Sequence, residues 1–131
     1  MPKRVHITIE SEALGVPRAM IVTVYDTLRG LRCAATKFNH VGGHSTTFGV
    51  TQLWSYDDEP TNVVPVVRLC RDYLGSRIVS HEVHHAATAI YGAFIGTSDP
   101  RLTHYNEPFA YLYSDLFAKL VDTLYEMGAY H

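Results

Sequence analysis

The segment SRIVSHEVHHAATAIY, residues 76–91, has a pattern that decides the interpretation of the chain. Ser76 can cap its start, and Gly92 follows its expected end. Apolar residues recur in it at the three- and four-residue spacing of one helix face, namely Ile78, Val79, Val83, Ala86, Ala87 and Ile90. The pattern therefore predicts an amphipathic helix with one side in a core.

The residues before this helix predict a sheet. Residues 4–10 alternate apolar and polar side chains, and residues 19–25 are rich in β-branched types. Residues 27–30 read as a turn, and residues 31–38 as the strand that returns from it. Residues 46–54 predict a fourth strand. One face of that strand would carry Phe48, Val50, Gln52 and Trp54.

The remaining segments predict further helices. Residues 65–74 have apolar side chains at helical spacing, although residues 63–67 could instead be a short strand. Asn106 can cap a last helix that tolerates Pro108 in its first turn and runs to about Met127. We therefore predict a single α+β domain, 1–131, with an antiparallel or mixed sheet of about four strands followed by two or three helices.

Composition narrows the class of protein. The chain has 131 residues, 47% of them hydrophobic, which is enough for one folded domain. A formal charge of −2 provides no basic field for nucleic acid. No apolar run is long enough to cross a membrane, and no secretory signal is evident, so we expect a cytoplasmic protein. Cys33 and Cys70 are then expected to be reduced and buried.

The central segment also contains the pattern His-Glu-x-x-His at His81, Glu82 and His85. A four-residue spacing places two imidazoles on one helix face, within reach of one metal ion. Glu82 lies about 100° around the helix, where it can take a proton from a water that the metal activates. His84 is interpreted as a neighbour of this pair rather than a ligand.

A catalytic zinc site needs a third protein ligand and an open position. Asp99, His104, Glu107 and Asp115 are the downstream candidates. Glu107 is preferred, because it begins a helix that could pack against the first, and His104 is the alternative. Tyr111 and Asp115 share the helix face of Glu107 and could orient a ligand.

The combination of His81-Glu82-x-x-His85 with Asn106-Glu107-x-x-Ala110 resembles the gluzincin branch of zinc metallopeptidases. It is also similar to short phage- or prophage-encoded proteins that carry both motifs, which would place the protein in a host cytoplasm. The resemblance implies a zinc ion held by His81, His85 and Glu107. It further implies a sheet whose edge strand faces the motif helix and aligns an extended peptide, with residues 46–54 as our candidate.

We therefore predict a zinc-dependent peptidase with Glu82 as the general base and a peptide or protein as substrate. The alternatives are a zinc-binding interaction module without catalysis, such as a phage accessory or inhibitor protein, and a metal-free protein with a chance motif. Neither a nucleic acid nor a membrane is an expected partner. The candidate oxyanion donors are His104, Tyr91, Tyr105 and Tyr111. A histidine-containing loop, with His40 and His44, could also line the cleft.

Overall fold

The described part of the computed structural model has four strands, three α-helices and a short 3-10 helix at Arg71–Tyr73, and it confirms the predicted α+β class. The structure describes residues 4–40, 42–44, 47–56, 59–96 and 106–129. The strands are β1 (Arg4–Ser11), β2 (Arg18–Tyr25), β3 (Gly49–Tyr56) and β4 (Glu59–Cys70). They form one mixed sheet in the order β1-β2-β4-β3, in which β2 and β4 are parallel and the other pairs antiparallel.

The first helix, α1, spans Leu28–Asn39, where we predicted a turn and a returning strand. That prediction is wrong because β2 pairs with a parallel strand, so the chain must cross over the sheet between them. Thr27 begins the helix, and its hydroxyl accepts a hydrogen bond from the Gly30 amide at 3.1 Å. Leu31 and Ala35 are the buried residues of this helix.

The predicted helix at residues 65–74 is also wrong, and the alternative of a strand is right. These residues belong mainly to β4, which lies between β2 and β3. Val66, Val67, Leu69 and Cys70 are all buried, because helices cover this strand on both faces. A strand buried on both faces has a continuous apolar run, which cannot be told from a buried helix by periodicity.

The two long helices are α2 (Ser76–Ile95) and α3 (Glu107–Glu126). α2 runs one turn beyond the predicted end and stops at Gly96, which has a left-handed φ of 78°. Gly75 occupies its N-cap, so Ser76 is not the cap. α3 begins as predicted, with the Asn106 side chain accepting from the Phe109 amide at 3.2 Å.

The helices cover opposite faces of the sheet. α2 and α3 share the main core with β1, β2 and β4, whereas α1 packs in a second cluster around Tyr25, Leu31 and Cys70. Among the described helices, none combines the length and hydropathy that a bilayer-spanning segment requires. Both cysteines are free, but Cys33 is exposed, contrary to our prediction that it is buried.

β3 is an edge strand beside α2, as predicted for residues 46–54. Its residues alternate between the two helix layers. Gln52 points to α1, where its amide donates to the Ala35 carbonyl oxygen at 2.8 Å and its oxygen accepts from Arg68 Nε at 2.8 Å. Thr51 points the other way, to α2. The edge strand therefore lies along the flank of α2 that carries Glu82.

Candidate metal centre

His81 and His85 lie on the side of α2 that faces away from the sheet. Both side chains are exposed, and their ring centroids are 4.6 Å apart. The Nε2 atoms of the two rings are separated by 3.1 Å. The predicted convergence of the two imidazoles is thus present in the fold.

This separation agrees with two ligands of one metal ion. Zinc binds imidazole nitrogen at about 2.0–2.1 Å in a tetrahedral arrangement, so two such nitrogens lie about 3.3–3.4 Å apart. The observed 3.1 Å differs from this by a few tenths of an ångström. Without a cation, the same distance suits a hydrogen bond from one protonated nitrogen to the other ring.

Glu82 lies on the flank of α2 that faces β3, and its side chain is buried at 7% exposure. The Thr51 hydroxyl lies 2.8 Å from Oε1 of Glu82 and 3.0 Å from its main-chain oxygen. Gly49 permits this close approach, because a Cβ there would lie 3.3 Å from Glu82 Cγ and 3.0 Å from Ile78 Cγ2. β3 therefore holds the Glu82 carboxylate on the flank of α2 next to the face that carries His81 and His85, and not on that face.

Glu107 is exposed in the first turn of α3. Phe109, two residues later, is buried and contacts the His84 ring. Two residues correspond to about 200° of helix rotation, so the Glu107 side chain leaves α3 on the side away from this contact. Within the described residues, no three or more His, Cys, Asp or Glu side chains form a group that could hold a metal ion. Glu107 therefore does not join the two imidazoles here.

The other third-ligand candidates have different positions. Asp99 and His104 lie outside the described residues. Asp115 faces β1, where its Oδ2 accepts a hydrogen bond from Ser11 at 2.6 Å and pairs with Lys119 Nζ at 3.1 Å. Lys119 also donates to the Glu10 carbonyl oxygen. Asp115 thus ties α3 to β1, and the expectation that it orients a metal ligand is wrong.

Replacing Asp115 with Asn should lower the free energy of unfolding by about 0.5–1 kcal/mol at pH 7. The Ser11 hydrogen bond, and then Lys119, hold the pKa of Asp115 below its ordinary value of 3.8, against the opposing effect of burial. This stabilisation is therefore complete above pH 3.8 and disappears as the pH falls through the lower, folded-state pKa. Urea unfolding of both proteins between pH 7 and pH 3 measures it. A difference that does not shrink with acid would contradict the assignment.

A cavity of about 370 Å³ adjoins the two imidazoles. It is lined by Arg77, Ser80, His81, His84, His85 and Tyr113. Tyr113 comes from α3, hydrogen-bonds to Ser80 and contacts the His84 ring. Sequence reasoning missed Tyr113 and Arg77, because which α3 residues reach the start of α2 depends on helix packing. The apolar spacing of Phe109, Tyr113 and Phe117 was the available signal for this face.

The oxyanion-donor candidates that the structure describes, Tyr91 and Tyr111, are not among the described lining residues of this cavity. Tyr91 is buried, and its hydroxyl accepts a hydrogen bond from Asn106 Nδ2 at 2.8 Å. This hydroxyl therefore contacts the residue that caps α3. Tyr111 is exposed and lines a different pocket with Asp115. His104 and Tyr105 lie outside the described residues. Among the described residues, Tyr113 is the tyrosine that lines this cavity.

The histidine-containing loop does not line this cavity either. His40 ends α1 with a φ of 57°. His44 lines a separate pocket beside α1, together with Arg32, Cys33, Thr36, Lys37 and Gly43. Because α1 covers the other face of the sheet, we assign neither histidine to the candidate metal centre.

Comparison with protein-family models, with curated proteins and with solved structures found no match to this chain. We therefore infer the function from the residues of the site alone.

Proposed function

We propose that this chain is a zinc-dependent hydrolase of peptide bonds, with His81 and His85 as metal ligands and Glu82 as the general base. The observation that carries the proposal is the 3.1 Å separation of the two Nε2 atoms on an exposed helix face. The buried carboxylate of Glu82 on the adjacent flank supports it. Two nitrogen donors with a nearby base fit the chemistry of a zinc site.

Zinc would supply a Lewis acid that polarises the scissile carbonyl and lowers the pKa of an attacking water. The protein's own part is then to hold and move the proton. Glu82 accepts it, and the Thr51 hydroxyl, 2.8 Å from Oε1, fixes the direction of the carboxylate. Since β3 is an edge strand beside Glu82, an extended peptide can pair with its open side and present a carbonyl to the site.

The third ligand belongs to the same proposal. Glu107 is our first choice and His104 the second, as the sequence suggested. Because the Glu107 side chain leaves α3 on the side away from His84, coordination by Glu107 requires the exposed first turn of α3 to rotate towards α2. Three protein donors would leave the fourth tetrahedral position for water or substrate.

We expect the purified protein to cleave a subset of a peptide library, to lose this activity in a chelator, and to regain it with stoichiometric zinc. The physical reason is that the base alone cannot generate a strong nucleophile from bulk water at neutral pH. Mass spectrometry of the library before and after each treatment is the measurement. Cleavage that persists after complete zinc removal, verified by elemental analysis, would refute the proposal.

One observation favours the second function, a zinc-binding interaction module. In the described part of the chain only two donors converge, and both are exposed, so a partner protein could supply the ligands that complete a closed four-coordinate site. A module of this kind would gain thermal stability from zinc, since a ligand that binds the folded state stabilises it. Strong stabilisation by zinc with no cleavage anywhere in the library would favour the module over the peptidase.

A further inference from the structure

The described residues that line the cavity beside the two imidazoles include a positive charge and no carboxylate. They contribute one guanidinium, three imidazoles and the hydroxyls of Ser80 and Tyr113. The guanidinium belongs to Arg77 and stays charged at any physiological pH. Such a lining attracts an anionic ligand group in preference to a neutral or cationic one.

Arg77 lies on the same helical row as the imidazole pair. It precedes His81 by four residues, which is about one turn and about 6 Å of rise along α2. Side chains on a helix lean towards its N-terminus, so the His81 ring lies towards the turn that carries Arg77. An extended peptide advances about 3.3 Å per residue. In an extended peptide bound along this face, the group that Arg77 binds would therefore lie one or two residues from the carbonyl that lies at the imidazole pair.

No acidic side chain in the described part of the chain pairs with Arg77. Arg77 is the second residue of α2, and the first turn of this helix contains no acidic residue. A cation at a helix N-terminus is opposed by the helix dipole, which favours anions there. Within the described residues, no hydrogen bond or ion pair holds the guanidinium, which is exposed. The helix dipole and the guanidinium therefore both attract a bound anion.

We propose that Arg77 binds a carboxylate of the substrate, so that the substrate class is peptides with a carboxylate one or two residues from the cleaved bond. This inference rests on the proposed peptidase function. A guanidinium can hold a carboxylate through two parallel hydrogen bonds, which gives orientation as well as affinity. The carboxylate can come from the peptide C-terminus or from an Asp or Glu side chain.

Peptide binding to the metal-free protein tests this without hydrolysis. The probes are a short peptide with a free C-terminal carboxylate, its C-terminal amide, and two amidated peptides that differ only in glutamate against glutamine. NMR titration follows the arginine Nε–H signal of Arg77 and the imidazole signals of His81. We expect carboxylate peptides to shift these signals, and Arg77→Gln to weaken their binding by about fivefold or more. Loss of binding when the C-terminus is amidated would show that Arg77 binds the terminal carboxylate. Loss of binding when glutamate is replaced by glutamine would show that it binds a side-chain carboxylate.

Arg29→Gln is the matched control, since it removes the same charge from an exposed position on α1. It should leave binding unchanged. Equal binding of carboxylate and amide peptides, equal affinity in wild type and Arg77→Gln, or no binding by any probe would each overturn the proposal. Binding that depends on Arg77, in a protein that cleaves nothing when zinc-loaded, would uphold the Arg77 subsite and reject the peptidase function separately.

Discussion

Glu82→Gln is expected to reduce kcat/KM for a cleaved peptide by about 100- to 10,000-fold while zinc remains bound. Glutamine cannot accept the proton of the attacking water, but it keeps a side-chain oxygen as acceptor for the Thr51 hydroxyl, which lies 2.8 Å from Oε1. The substitution therefore removes the base with little change to the packing between β3 and α2. Peptide turnover and zinc content measured on the same preparation separate the two effects.

Glu126→Gln provides the control for Glu82→Gln. It makes the same chemical change at the exposed end of α3 and should leave turnover at the wild-type value. Unchanged turnover in Glu82→Gln, with zinc still bound, would reject Glu82 as the base. Circular dichroism of both variants would show that the folds are retained.

His81→Ala and His85→Ala are each expected to weaken zinc binding by about 100-fold or more. Loss of an outer-shell partner already costs 10- to 100-fold in metal affinity, and a direct ligand contributes at least as much. The structure gives the reason, since each imidazole is one of two donors whose Nε2 atoms are 3.1 Å apart. Competition titration with a coloured zinc chelator measures the affinities.

His84→Ala is the matched control for the two ligand substitutions. His84 is adjacent in the chain and lines the same cavity, but its ring contacts Phe109 and Tyr113 of α3. We expect its zinc affinity to stay within a few-fold of wild type. Equal losses in all three variants would mean that the imidazole pair has no special role.

Segments with one buried face were predictable from the sequence. β1 and α3 alternate more and less buried positions with the period of their structure, and the ends of α3 follow from Asn106 and Gly128. β2 is buried along most of its length and was predicted from its β-branched residues instead. α2 was correct in kind but one turn short. The helix continues through Gly92 to Ile95, and Gly96 ends it in the left-handed conformation.

Segments whose structure depends on distant partners were not predictable. Residues 31–38 form a helix because the parallel pairing of β2 and β4 requires a crossover, and the local pattern contains no information about that pairing. Residues 65–70 lie in a strand covered on both faces, which removes the period of two that would mark it. The first error also missed a local signal, because Thr27 can cap a helix and Leu31 and Ala35 lie one turn apart on its buried face.

The candidate site also has one part that the sequence predicts and one part that depends on distant packing. The two imidazoles depend only on a spacing of four residues within one helix, and the sequence was sufficient to place them together. The third ligand depends on how α3 is rotated and shifted against α2. That packing brings Phe109 and Tyr113 to His84, turns Asp115 towards Ser11 and leaves Glu107 exposed.

The proposed function depends on His81 and His85 binding one zinc ion together. Zinc K-edge X-ray absorption of the protein loaded with one equivalent of zinc reports on these ligands, with the double variant His81→Ala/His85→Ala as reference. We predict scattering from two imidazole rings with nitrogen at about 2.0–2.1 Å in the wild type, and loss of this signal in the variant. A wild-type spectrum without imidazole scattering, or one that is unchanged in the variant, would contradict the claim.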